Sequence, residues 1–257
     1  RCSLGKPGEF YSEELLYQMF GVNAELLIDH AWGYEPCTIA QIRAYKPQSS
    51  SLGCGQVLHC PYTADKARIV VQEMIDGISL ELVEKRLVTD QLVLTVGYDI
   101  ENLTRPEIRK VYKGPVTTDR YGRRVPKHAH GTWNLSRATS SSSELLEAMA
   151  ALYDKIVNPA LLIRRMSLSA CHVVNEKMAK EREQKETFEQ LDLFTDYAKK
   201  EAKEKEEQKK RERERRMQEA LLTIKKKYGK NAVLRGMNFE EGATAKERNG
   251  QIGGHQA

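Results

Sequence analysis

Apolar positions along the chain change period several times, and each change marks an element. From Thr63 they recur every three to four residues. Ala67, Val70, Val71, Met74, Ile75, Ile78, Leu82 and Val83 share one stripe, which predicts a long amphipathic helix to about Leu87. A second stripe (Leu145, Leu146, Met149, Leu152, Tyr153, Ile156) follows Ser141-x-x-Glu144, a capping-box spacing, and Asn158-Pro159 ends it. Elsewhere the period shortens to two. Gln91–Tyr98 is aliphatic and β-branched, and Ile163–Val174 alternates like a strand with one buried face. Residues 49–60 read as a glycine-containing strand and Lys127–Leu135 as another. The polar stretch 101–127, broken by Pro106, Pro115 and Pro126, is expected to be a long hairpin loop. From 49 to 174 the order is strand–helix–strand–strand–helix–strand. It predicts an α+β domain of ferredoxin-like, split βαβ plan (βαββαβ), with two helices on one face of a four-stranded sheet. The other face must look outward, and function is expected there.

The flanks obey different rules. Residues 12–34 read as two short helices around a Gly21-Val22-Asn23 turn, with Ser12 as cap and Glu13 and Glu14 in the first turn. Leu15, Leu16, Met19 and Phe20 make one apolar face and Leu26, Leu27, His30 and Ala31 another; Pro36 stops the second helix, and 37–48 is expected to be an extended linker. Residues 199–216 hold only two uncharged positions, so the run is a solvated helix held by i,i+4 pairs or a disordered tether. It lacks the a/d apolar positions of a coiled coil.

Composition narrows the class. Of 257 residues, 40% are hydrophobic and 30% charged, which fits a real core plus a polar segment that adds nothing to it. No apolar run approaches the roughly 20 residues that span a bilayer, and no signal peptide opens the chain. Five cysteines, with no C-x-x-C pair, favour reduced thiols in a cytosol over disulfides or a zinc ribbon. The first residue is Arg1 rather than Met, so the chain is expected to be a fragment.

Charge is placed unevenly. Residues 105–127 carry eight Lys/Arg against Glu107 and Asp119, and Arg164 and Arg165 stand on the last strand. A cationic loop beside an open sheet suits a phosphate backbone. Serine and glycine at 49–56 add hydroxyl and amide donors. The candidate nucleic-acid contacts are Ser50, Ser51, Gly53, Gln56, Arg123, Arg124, Arg164 and Arg165. The strands offer only Tyr98 and Trp133 as stacking aromatics, which argues against an RNA-recognition module. The Gly21 hairpin could present amides to a phosphate, although a plain packing turn explains it equally well. His128-x-His130 and Cys171-His172 lack the carboxylate or second thiol that would complete a metal site. No Ser–His–Asp, Walker or glycine-rich nucleotide signature is present.

The sharpest motif is Gln190-Leu191-Asp192-Leu193-Phe194, an apolar pair between charged flanks that suggests a peptide docking into a partner's pocket. Its spacing matches the bacterial sliding-clamp-binding pentapeptide. In such a peptide Gln190 bonds at the pocket rim while Leu193 and Phe194 fill the cleft.

Together these residues resemble the C-terminal portion of a Y-family (UmuC/DinB-type) translesion DNA polymerase, closest to the UV-damage-repair branch of Gram-positive bacteria. FGVNAELLIDHAWGYEP (20–36) is similar to the end of that family's thumb, and KPQSSSLGCGQVL (46–58) with the helix after it to the start of its little finger. QLDLF and the tail YGKNAVLRGMNFEEGATAKERNGQIGGHQA (228–257) complete the likeness. The resemblance implies a thumb remnant at 1–36, a DNA-gripping little finger at 37–175 and a charged tether with the clamp peptide at 176–257. It implies primer–template DNA and a sliding clamp as partners, a cytoplasmic bacterial location, a monomer, and a parent nucleotidyltransferase acting in lesion bypass and the SOS response. The family's Mg²⁺-binding catalytic carboxylates belong to a palm preceding the thumb, so no catalytic residue, metal or cofactor is expected in this chain. A stand-alone nucleic-acid-binding module and a non-enzymatic interaction scaffold are the alternatives.

Overall fold

The computed structural model describes residues 12–45, 50–119, 122–179, 181, 197–252 and 255–256. By its contacts the chain divides into two units, Arg1–Gln48 and Ser49–Ala257.

The first unit holds α1 (Glu13–Phe20), α2 (Asn23–Ala31) and α3 (Ile39–Ala44). Ser12 caps α1 by accepting from the Leu15 amide, and Gly21, at φ 57°, ends it, so the short turn forms as the glycine predicts. The expected linker instead contains α3, because Thr38 and Gln41 form a reciprocal capping box. Of the large side chains described in this unit only Leu16 is buried; Leu15, Met19, Phe20 and Leu26, expected on apolar faces, are exposed. Three short helices are too small to enclose a core.

The second unit is mixed α+β. Its sheet contains β1 (Leu52–Tyr62), β2 (Leu87–Tyr98), β5 (Ala129–Thr139) and β6 (Ile163–Cys171). The spatial order is β1-β6-β2-β5, every neighbour antiparallel, and the short β7 (Val174–Asn175) pairs with the start of β2. Helices α4 (Ala64–Lys85) and α7 (Ser142–Ile156) cover one face. The element order is the expected one, and each βαβ crossover brackets one strand of the other. In space, however, the second and fourth long strands are central, whereas the ferredoxin-like plan centres the first and third.

The core lies between the sheet and these helices. Leu92, Leu94 and Val96 of β2 and Leu168 and Ala170 of β6 meet Val70, Ile75, Leu82, Leu145, Met149 and Leu152, all essentially closed to solvent. Two polar ties fix the ends. The Tyr153 hydroxyl donates to the Ala64 carbonyl (2.7 Å), and fully buried Asn102 bonds Leu162 both ways, donating to its carbonyl and accepting from its amide.

Two segments depart from expectation, and a third takes one of the two forms expected of it. The polar excursion is structured: α5 (Glu101–Thr104) and α6 (Pro106–Val111) precede a small hairpin, β3 (Val116–Thr118) and β4 (Arg124–Pro126). Pro106 opens α6 at the position where a missing amide costs nothing. At α7, Ser141 caps as expected, but Glu144 turns away to Arg137, so only half of the capping box forms. Finally, the charged run is helical: α8 spans Tyr197–Tyr228.

Helix α8 also returns to the body of the unit. The Glu214 carboxylate sits at the N-terminus of α7, accepting from the Ser143 amide (2.8 Å) and the Ser141 and Ser143 hydroxyls (2.7 and 3.0 Å). Buried Gln218 donates to the Ser140 carbonyl (3.0 Å) and to Ser142 Oγ (2.8 Å), which in turn bonds Ser79 Oγ of α4 (2.7 Å). Beyond α8, residues 229–250 run along α4 toward β1 through a 3₁₀ turn (Gly236–Phe239) and a one-turn helix, α9 (Ala245–Arg248).

Candidate nucleic-acid interface

The uncovered face of the sheet is built from alternate residues of four strands, and the pairing register sets them in rows. Gly53, Ser169, Val93 and Thr132 form one row; Gly55, Ser167, Thr95 and His130 the next. Val57, Arg165 and Gly97 stand on one side of these rows, and Cys171, Gln91 and Asn134 on the other. No residue in these rows is acidic. Most are glycine or carry a short hydroxyl or amide, so the surface is smooth and rich in donors. Cross-strand bonds hold two pairs: Thr95 Oγ1 to His130 Nδ1 (2.9 Å) and Gln91 Nε2 to Asn134 Oδ1 (2.9 Å).

Arg165 is the cation of these rows. Its side chain lies across β2 at Gly97, so close that a Cβ there would stand 2.5 Å from Arg165 Cγ and 2.6 Å from Nε. The neighbouring strand thus supplies a seat that only glycine leaves open. Arg164, one residue earlier, donates to the His59 carbonyl (3.1 Å) and lies 3.7 Å from the buried Asp99 carboxylate. Arg123, from the β3–β4 turn, pairs with Asp119 at 2.8 Å. Arg123, Arg164 and Arg165 line one concavity of about 300 Å³ with Tyr98, Asp99 and Val125 at this corner of the sheet. Carboxylates orient two of these cations, Arg123 and Arg164.

The eight residues expected from sequence therefore separate. Gly53, Arg123, Arg164 and Arg165 stand on the open face or at its corner, and Arg124 is exposed on β4. Ser50 and Ser51 precede β1 at its exposed start; Ser50 bonds Val173 through its hydroxyl and its carbonyl. Gln56 does not belong with them. It faces the helix side, where its amide bonds Thr244 (2.9 Å) and Arg248 (2.7 Å). Gln190–Phe194 lies outside the described residues. Missed by the sequence reading were Gly97, Thr95, Ser167, Ser169, Thr132, Asn134 and Gln91. The alternation along β2 and β6 was the signal that could have found them.

Other candidates find local partners. His130 bonds Thr95, and His172 bonds Asp90 (2.9 Å). Among the described residues no three His, Cys, Asp or Glu side chains gather as metal ligands, and no helix is long and apolar enough to cross a membrane.

Compared with known proteins, the chain matches no family model and no curated protein.

Proposed function

We propose that this chain is the DNA-gripping and clamp-tethering part of a Y-family lesion-bypass DNA polymerase of the UmuC/DinB type, acting in the bacterial cytoplasm. In this reading the sheet is the little finger, holding the primer–template duplex by its backbone, and residues 1–36 are the end of the thumb. The clamp peptide Gln190–Phe194 raises processivity through effective concentration. Nucleotide transfer, with its Mg²⁺ ions, belongs to the palm of the parent enzyme, and this chain contributes grip and tether.

The observation that supports the reading best is the open face: rows of hydroxyl and amide side chains with no acidic residue among them, bordered by a corner where Arg123, Arg164 and Arg165 stand with Asp99, Glu101 and Asp119. Such a surface accepts phosphate oxygens without reading bases, as an enzyme that tolerates damaged templates requires. Arg164→Ala/Arg165→Ala is expected to weaken duplex binding equally for unrelated sequences. It should also reduce the slope of log K against log salt by about two. Fluorescence anisotropy at several salt concentrations measures both; a loss confined to one sequence overturns the backbone grip.

The tether is tested separately, by calorimetric titration of a bacterial sliding clamp with the chain and with Leu193→Ala/Phe194→Ala. Saturable binding that the double variant loses is the expected result. If DNA binding persists but the clamp is ignored, the chain is a stand-alone nucleic-acid-binding module.

A further inference from the structure

The segment after α8 is held in an unusual way. Its anchor is Glu73, an α4 carboxylate that is only 3% exposed. Glu73 accepts from the Thr244 amide (2.8 Å), the Ala245 amide (3.0 Å) and the Asn238 side-chain amide (2.7 Å). All three donors belong to one short stretch of chain. On either side, Asp76 pairs with Arg235 (2.7 Å), and Gln56 of β1 donates to the Thr244 hydroxyl and accepts from Arg248. Gly242 fits because its φ is +99° and because a Cβ there would stand 2.8 Å from Lys66 Cβ.

Against this polar contact the segment offers little apolar area. Between Arg235 and Arg248 only Thr244 and Ala245 are buried, and Phe239 is 69% exposed. An element secured by hydrogen bonds with few buried apolar contacts opens well before the core does. Beneath the segment lies the Glu73 carboxylate, aimed at its backbone amides.

We propose that the face of α4 beside β1 is a peptide-docking groove, occupied in the resting chain by its own residues Arg235–Arg248 and released without unfolding the sheet. The groove is defined by this geometry alone and is independent of the polymerase reading. Glu73 reads two successive amides at the N-terminus of α9, Asp76 reads a cation ahead of them, and Gln56 reads the Thr244 hydroxyl and the guanidinium of Arg248 at the far end of α9.

Two measurements on the full chain test it. In hydrogen exchange, the Thr244 and Ala245 amides should exchange at least tenfold faster than those of Leu92 and Leu94 in central strand β2, and faster still in Glu73→Gln with β2 unchanged. Exchange of both groups at one common rate overturns the proposal, because the segment is then part of the core. Second, Gly242→Val should expel the resident segment. A fluorescent peptide of residues 235–248 should then bind this variant saturably, at least tenfold more tightly than wild type, and lose binding when Glu73→Gln is added. Failure to bind the Gly242→Val chain while its β2 amides stay protected also overturns it. If that variant does not fold, the exchange rates of the wild-type chain decide.

Discussion

At the scale of single residues, one glycine and one carboxylate carry the clearest consequences. Gly97 is in ordinary extended backbone, so replacing it strains nothing locally; a side chain there acts by displacing Arg165. Gly97→Ala should therefore imitate Arg165→Ala in duplex binding, with the salt slope falling by about one in each. The double variant should lose little more than either single one, which anisotropy can check. Asp76 bears on pH rather than on DNA. Burial pushes its carboxyl above the ordinary 3.8, while Arg235 pulls it back. The folded chain thus holds this proton more tightly than the unfolded one. Its contribution to stability is fully present below 3.8 and fades as pH rises through the raised folded value. NMR titration of the Asp76 side-chain carbon should show a midpoint above 3.8, moving further up in Arg235→Met.

At the scale of elements, the core was legible and the attachments were not. The period-two runs in β2 and β6 and the stripes of α4 and α7 each point to one buried face, and those residues are the core. Helix α8 gave no such signal, because it docks through Glu214, Arg215 and Gln218. Hydrogen bonds leave no hydrophobic period, so a charged run that caps another helix looks like one that faces water. The same blindness hid α5, which Asn102 ties to Leu162, the residue before β6. Gln56 was a different failure: residues three apart on a strand cannot share a face, so Gly53 outward already turns Gln56 inward. The anchoring of α8 is measurable. Gln218→Ala removes a buried donor to Ser140 and Ser142 and should cost about 1–3 kcal/mol. Glu212→Ala, on the exposed side of the same helix, should change stability by under about 0.5 kcal/mol. Urea unfolding of both variants separates a docked helix from a solvated one.

For the whole molecule, charge has been concentrated rather than spread. Helix α8 holds thirteen Lys/Arg against seven Glu, and the 105–127 excursion is the other cationic stretch, so a chain of net charge +5 leaves its remaining parts acidic in balance. The open sheet face carries short side chains in rows, with Arg165 as the cation among them. Strands are spaced about 4.8 Å apart, whereas a DNA duplex rises by about 3.4 Å along its axis for each base pair. On the proposed reading, a duplex crossing these rows would not match every phosphate to a donor at once, and advancing one base pair would only exchange one partial match for another. Its energy along the track would be shallowly corrugated, like two combs of unequal pitch drawn across each other. If the chain holds DNA as proposed, Arg165 beside Gly97, with Arg123 and Arg164 at the same corner, would be the teeth that catch, and those side chains would set the friction of each step more than the sheet.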